Sequence, residues 1–459
     1  MVLYRTLLLL LGPRGGDYAA LFSWLAALLF AAHPIHTEVV DNIKGCDEIV
    51  TLLGSLATLY FTVKAYDTGK RKWNMLAAVL VFLACLSKEN AVTFVAVIPL
   101  ALWVFRSASA SAIVKNMTPV FVSFLAFFFI RGAILHWKFG GAPMELMNNP
   151  YLKTQGTRWV PFTGAETLAT IFYTLWKYVQ LLFVPYSLTH DYYPRVIDIM
   201  TFGNAAVLFS VVLYFGMAWY AVSGIAKRDP LRFGILYYLL TLSIVSNFVF
   251  PVGTNMGERF AFMPSVGFCM VLASLLYYFR SKMNNLNVLL GVFGVIMLLF
   301  SVKTITRNPA WESNEKLFFT DVKVSKNSAK IQNACGGVLF DKASKEKNEV
   351  RRNELCNQAL SHLNRAIQLY PNYSDAYVSR GGAHYYLKLY DESIADYRRA
   401  VELSSSDPRW KTYLALALRD GGRYQGEQRG NIPLAYQYLR ESWQFNPNDA
   451  ETARLIGVS

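Results

Sequence analysis

The chain is 459 residues long, 54% apolar and 15% aromatic, and only 17% of it is charged, against roughly a quarter in ordinary soluble domains. Its net charge of +14, from 45 Lys plus Arg against 31 Asp plus Glu, would point to an acidic partner in a soluble protein. Here the cations gather at the ends of apolar runs, where positive-inside placement and anionic headgroups account for them. That argues against a soluble enzyme and against a nucleic-acid partner.

A bilayer core needs about 20 mainly apolar residues per helix. Residues 2–11 (VLYRTLLLLL) read as the second half of a span, without the charged leader or cleavage site of a signal peptide, so the chain reads as beginning partway through a larger design. Further spans are expected near 18–35, 49–64, 73–87, 91–104, 117–135, 168–187, 203–225, 232–252, 262–279 and 286–303. That makes about 10–11 spans, the first partial. The short basic loops GKRK (69–72), KRDPLR (227–232) and RSK (280–282) read as cytoplasmic. They put 36–48, 251–259 and the chain after the last span on the outer face. One conflict arises: 106–115 also reads as cytoplasmic, and alternation from there places 190–195 inside, two helices before another cytoplasmic loop. Either 168–187 lies along the interface or a further span is hidden in 131–167.

The apolar excess stops near Lys303, which sets a membrane domain at 1–303, a connector at 304–330 and a soluble domain at 331–459. In the last, Ala359, Leu363, Ala366 and Pro371 fit the second helix of a 34-residue tetratricopeptide repeat (TPR), and Ser393, Tyr397 and Ala400 repeat the pattern one unit later. Ala435, Leu439 and Pro447 mark a third unit, after an insertion at 421–431; a charged insertion is expected at 341–352. About three such units stack into a short solenoid that binds partner proteins or serves as a platform. Of the five cysteines, none in C-x-x-C spacing, Cys335 and Cys356 share this domain and could pair in an oxidising compartment. The fold class is therefore all-α: a polytopic transmembrane helix bundle followed by a TPR α-solenoid.

Ionisable groups at membrane depth cost about 2.5–3.5 kcal/mol each on insertion scales and need a reason. His33, His36, Glu38 and Asp41 gather around Pro34; imidazole and carboxylate together could hold a divalent ion, a sugar or a phosphate, or simply cap a helix end. Lys88 and Glu89 interrupt an apolar stretch as a neutralising pair or as site support. Arg259 in GERF suits a lipid phosphate, or interfacial snorkelling. Asp191 and Tyr192, within PYSLTHDYYP, resemble a carbohydrate-binding edge. No soluble-nucleotide motif is present, so a donor would be lipid-linked.

The blocks HPIHTEVVDNIKGCDEIVTLLGSLA, LSKENAVTF, YTLWKYVQLLFVPYSLTHDY, GERFAFMPSVGF and RNPAWESNEKLF follow one another in this chain. In that order they resemble the transmembrane and tetratricopeptide-repeat O-mannosyltransferases, with closest likeness to bacterial relatives, over nearly the whole length. The resemblance implies a GT-C-type glycosyltransferase that moves a sugar, mannose being best known, from a polyprenyl-phosphate donor to Ser or Thr hydroxyls on the outer or luminal face. A carboxylate would take the hydroxyl proton, and the lipid phosphate would leave beside a cation. Such enzymes usually carry the catalytic carboxylate in the first outer loop, which this chain lacks, so the catalytic residue is unknown, with Glu38 and Asp41 as candidates. A second departure is Cys46, which stands where the family usually has Arg. Of the residues present, His36, Glu38 and Asp41 are expected as acceptor or metal contacts, His33, Asp191 and Tyr192 as further substrate contacts, Arg259 as the phosphate ligand and Lys88 and Glu89 as a structural or site-supporting pair. A divalent metal ion is the one cofactor these groups could hold. Acceptor proteins on the repeats and membrane lipids are the partners, in a bacterial inner membrane with periplasmic repeats, or an endoplasmic-reticulum membrane with luminal repeats. The alternative is a non-catalytic scaffold recruiting envelope proteins through its repeats; a transporter would require inverted repeats, which the sequence does not show.

Overall fold

The computed structural model describes residues 1–137, 143–155, 158–194, 196–283, 285–404 and 407–458. The chain divides into two compact units, Met1–His190 with Ile197–Glu312, and Asp191–Val196 with Ser313–Ser459. The all-α expectation is borne out: among the described residues the regular structure is helical apart from one antiparallel hairpin, Leu152–Gln155 and Arg158–Pro161.

In the first unit a helix forms at every predicted apolar stretch, from Val2–Leu11 to Leu286–Arg307. Among the described residues five are long and apolar enough to cross a bilayer, and Gly16–Ala32 with Pro34–Asp41 makes a further candidate bent by 52°. The bend has a covalent cause. Pro34 cannot continue the helix, and it holds His33 extended at φ −67°, ψ 121°.

Contacts sort the helix ends into two faces. At one face Arg106 donates from Nη2 to the Leu9 carbonyl at 2.8 Å and from Nη1 to that of Leu10 at 3.1 Å, capping Val2–Leu11. Its guanidinium also binds Asp67 near the end of Cys46–Thr68 through two bonds of 2.6 and 2.8 Å. Arg228 lies over Trp103 and Tyr18 against Tyr277, so the predicted cytoplasmic loops share this face. The polar motifs gather at the opposite face. The sequence conflict over 168–187 has a geometric answer in the helix Gly164–Phe183. Its Leu182 carbonyl accepts from His33 Nε2 at 2.9 Å, at the polar face. Its other end is also held there: Glu166 binds Lys153 of the hairpin at 2.7 Å, and the turn before the hairpin runs so close to Gly253 that a Cβ there would lie 3.6 Å from the Asn148 carbonyl. Both ends on one face make this a lateral helix, and the described part of 131–167 holds the hairpin where a hidden span was the alternative. Of the loop at 190–195, residue 195 lies outside the described residues.

Two helix contacts are too close for side chains. A Cβ on Gly267 would meet the Gly234 carbonyl at 2.5 Å, so Pro230–Ser243 and Ser265–Met283 touch backbone to backbone. Likewise a Cβ on Gly54 would lie 2.9 Å from the Ala84 Cβ. On that same helix Thr51, Thr58 and Thr62 turn their hydroxyls onto backbone carbonyls of Cys46–Thr68 and Arg71–Ser87.

The second unit pairs Ala329–Lys345 with Glu349–Leu369, Ser374–Tyr386 with Tyr390–Leu403 and Pro408–Glu427 with Ile432–Phe445, ending in Ala450–Val458. Ala359, Leu363 and Ala366 fill one core, and Ile394, Tyr397 and Leu418 the next, as stacked repeats require. Two details differ from the sequence reading. Most of 341–352 belongs to two helices meeting at a short turn, and Pro408–Glu427 runs straight through Gly421 and Gly422. There the glycines serve packing, since a Cβ on Gly422 would meet Leu439 at 2.8 Å. Cys335 and Cys356 are buried free thiols, and burial pushes Cys335 up to about 12.

Candidate functional site

The polar face of the first unit holds a cavity of about 730 Å³. Four segments bring in its charged groups, and residues 244–252 add a further wall. The 3-10 turn Ile43–Gly45 reverses the chain after Thr37–Asp41; Gly45 is needed there, because a Cβ would sit 2.3 Å from the Val39 carbonyl oxygen. The break between Arg71–Ser87 and Phe94–Arg106 brings in Lys88 and Glu89, the end of Ala110–Ile134 brings Arg131, and the turn Glu258–Ala261 brings Arg259.

Glu38 is 3% exposed and faces Arg259. Its Oε2 accepts from the Arg259 backbone N–H at 2.9 Å and its Oε1 from Nη1 at 3.1 Å. The Arg259 side chain remains 40% exposed, so its other nitrogens are open to a ligand. Lys88 reaches Asp47 at 3.2 Å and the buried Glu48 at 2.8 Å. Asn90 donates to Glu48 Oε2 at 3.3 Å. Arg131 binds Glu89 at 2.5 Å on the rim. Between these ion pairs the lining is apolar, with Phe127, Ile130, Ile134, Ile244 and Phe250. A cavity lined by paired cations and by hydrocarbon suits an amphiphile with an anionic head.

The predicted residues divide. Glu38, Lys88, Glu89 and Arg259 come together in the cavity. His33 and His36 lie behind it, buried among Phe30, Phe262 and Phe300. His33 Nδ1 accepts from the Ile35 N–H at 3.2 Å, so its Nε2 carries the proton given to Leu182. His36 Nε2 lies 2.9 Å from Ser265 Oγ, and that hydroxyl lies 2.6 Å from the Phe262 carbonyl. Asp41 is half-buried, and the Asn308 amide, turned to donate, reaches its Oδ2 at 3.1 Å. Among the described residues no group of three or more His, Cys, Asp or Glu is placed to hold a metal ion. Asp191 and Tyr192 belong to the second unit, where the Asp191 carboxylate accepts from Ser328 and from the Tyr193 N–H.

Four site residues escaped the sequence reading. Asp47 and Glu48 were within a stretch already singled out, as acids at a helix start. Arg131 had the same signal as Arg259, one guanidinium at the end of an apolar run. Glu258, next to Arg259 and 1% exposed, accepts from the Thr189 N–H at 2.6 Å and so fixes the turn that carries Arg259.

Fold and cavity together define an integral membrane protein: a polytopic helix bundle with a charged, apolar-walled cavity, followed by a TPR solenoid. In sequence it is similar to proteins named as O-mannosyl-transferases. One, of Caenorhabditis elegans, is 29% identical over 350 residues, covering 76% of this chain and 46% of that protein. Protein O-mannosyl-transferase TMTC3 of Mus musculus is 26% identical, covering 86% and 44%. Protein O-mannosyl-transferase TMTC1 of Homo sapiens is 24% identical, covering 77% and 43%. These matches bear out the resemblance to the transmembrane and tetratricopeptide-repeat O-mannosyltransferases; likeness to bacterial members is a separate expectation on which these animal relatives do not bear. The chain spans less than half the length of each of the three. No family model matches it. A solved structure with likeness is a thermophilic TPR protein of Thermus thermophilus, 18% identical, covering 50% of this chain and 97% of that one at a TM-score of 0.23.

Proposed function

We propose that the chain binds a polyprenyl-phosphate sugar in the cavity and serves protein O-mannosylation on the outer face of its membrane, with the TPR unit engaging the acceptor proteins. The observation that carries this is the joining of Arg259, Lys88 and Arg131 with apolar walls in one cavity. Guanidinium groups bind phosphate oxygens bidentately, and the walls would take the first part of the hydrocarbon chain. In the transfer the acceptor Ser or Thr oxygen attacks the sugar C1, its proton passes to a carboxylate, and the C1–O bond to the lipid phosphate breaks with its electron pair on the phosphate. The cations stabilise that leaving group. Of the two carboxylate candidates Glu38 borders the cavity, and a phosphate that draws Arg259 away would release it to act as a base. His36 and His33 then act from behind as packing that holds the segment carrying Glu38.

The direct test incubates membranes containing this chain with radiolabelled polyprenyl-phosphate mannose and protein acceptors. Labelled Ser or Thr that disappears in Arg259→Ala supports the proposal. Donor that neither binds nor transfers, beside an active control enzyme, overturns it.

A further inference from the structure

A second, smaller pocket of about 190 Å³ lies in the same unit, between the helices Gly164–Phe183, Ala205–Ser223 and Pro230–Ser243. Its floor is Leu175, Tyr214 and Leu242, and the rings of Phe172, Phe215 and Phe248 line it. It offers a ligand almost nothing polar: the Tyr214 hydroxyl donates to the Leu175 carbonyl at 3.0 Å and lies 2.7 Å from the Tyr238 hydroxyl. Phe215 and Phe248 are 66% and 58% exposed, so the mouth opens on the apolar flank of the bundle.

One stretch of chain walls both this pocket and the charged cavity. Between residues 242 and 252, Leu242, Ser243, Ser246 and Phe248 face the small pocket, while Ile244, Val245, Phe250 and Val252 face the large one. The wall is held shut by Asn247. Its φ of 61° lies in the left-handed region, which Asn tolerates better than most residues. Its side chain donates to the Thr254 and Asn255 carbonyls at 2.8 and 3.2 Å and accepts from the Val252 N–H at 2.8 Å. This clasp presents Phe248, Val249 and Phe250 as an apolar ridge between two concavities, one charged and one of hydrocarbon character.

We infer that the small pocket receives the isoprenoid chain of the lipid donor, led over the Phe248–Phe250 ridge from the cavity that holds its phosphate. The inference rests on the proposed donor reading and adds the place of the chain. It commits to the donor's own tail, because only a ligand anchored in the cavity would prefer this concavity to the rest of the apolar surface.

The test uses the full chain in lipid nanodiscs with undecaprenyl phosphate, geranyl phosphate and uncharged undecaprenol as probes. Ala218→Trp, which fills the pocket without bordering the cavity, should weaken undecaprenyl phosphate about tenfold by removing the packing contacts its chain makes there, the displaced chain staying in hydrocarbon. Geranyl phosphate, too short to gain from the pocket, should bind the variant as it binds the wild type. An unchanged affinity for undecaprenyl phosphate, or an equal loss for both phosphates, overturns the inference. The wild type supplies a check that needs no folded variant. A diazirine on the chain of undecaprenyl phosphate should label peptides containing Phe215 and Phe248, and labelling scattered over other lipid-facing helices overturns it. Undecaprenol separates the two readings. If it binds as tightly as the phosphate and suffers the same tenfold loss in Ala218→Trp, the tail pocket stands and the phosphate site falls.

Discussion

Arg259 and Glu38 make opposite predictions for one measurement. The Arg259 guanidinium is held by Glu38 through Nη1 alone, so a phosphate that binds its other nitrogens competes with that carboxylate for the charge. Arg259→Ala removes the charge-assisted bonds to the phosphate, worth about 1.5–3 kcal/mol, which is about a 10- to 150-fold loss of affinity for polyprenyl phosphate. Its effect on folding is smaller. Alanine keeps the backbone N–H that Glu38 accepts at 2.9 Å, and only the 3.1 Å bond from Nη1 is lost. Because the arginine side chain is 40% exposed, the stability cost is about 1–2 kcal/mol, well under that of breaking a fully buried pair. Glu38→Gln runs the other way: it frees Arg259 from its competitor and should tighten phosphate binding by about twofold to fivefold while abolishing any transfer that uses Glu38 as base. Equilibrium titration of the solubilised protein with polyprenyl phosphate reads both. Wild-type affinity in Arg259→Ala, or a loss in Glu38→Gln as large as that in Arg259→Ala, refutes the partner-exchange reasoning.

Three further outcomes are expected. Arg106→Ala leaves two carbonyls of the first helix uncapped and Asp67 without its partner; with Arg106 8% exposed, it should cost about 2–4 kcal/mol. That is seen as a lowered midpoint of thermal unfolding in detergent, with polyprenyl-phosphate binding intact below the transition. In the repeat unit burial holds His362 below the ordinary imidazole range; the unfolded chain then takes up its proton first as pH falls, so its contribution is complete above about pH 6.5 and lost below it. His362→Gln should flatten that part of the pH–stability curve, and an identical curve in both proteins counts against it. Among the cysteines Cys46 is exposed and the other four are buried, so in sealed vesicles that expose the outer face of the membrane a membrane-impermeant maleimide should label Cys46 alone. Labelling only after permeabilisation would reverse the proposed orientation of the cavity.

The helices were legible because apolar runs and their turn residues are local signals. The lateral course of Gly164–Phe183 was one of two readings the sequence left open, and only its two anchorages, at Glu166 and Leu182, decide its direction. At 421–431 a glycine pair read as part of an insertion is a helix contact, because tight helix crossings also ask for glycine. Arg259, Glu38, Lys88 and Glu89 each stood out as costly charges in an apolar setting, but the pairing of Glu38 with Arg259 joins segments far apart in sequence and has no local trace. His33 and His36 had the look of ligands, and what the sequence hides is that Leu182 and Ser265 occupy their Nε2 atoms.

The tight contact of Gly54 with Ala84, and the hydroxyls of Thr51 and Thr58 reaching across to the Ala84 and Ala77 carbonyls, have a mechanical consequence. Helices joined so closely tilt as one stiff stem when the bilayer around them thins or thickens. Asp47, Glu48 and Lys88 ride on the same end of that stem and keep their mutual spacing, whereas Arg259 sits on a separate turn. A change in membrane thickness should therefore leave one side of the cavity rigid and alter the gap across it, so that the proposed binding of a phosphate head would depend on the bilayer as well as on the protein.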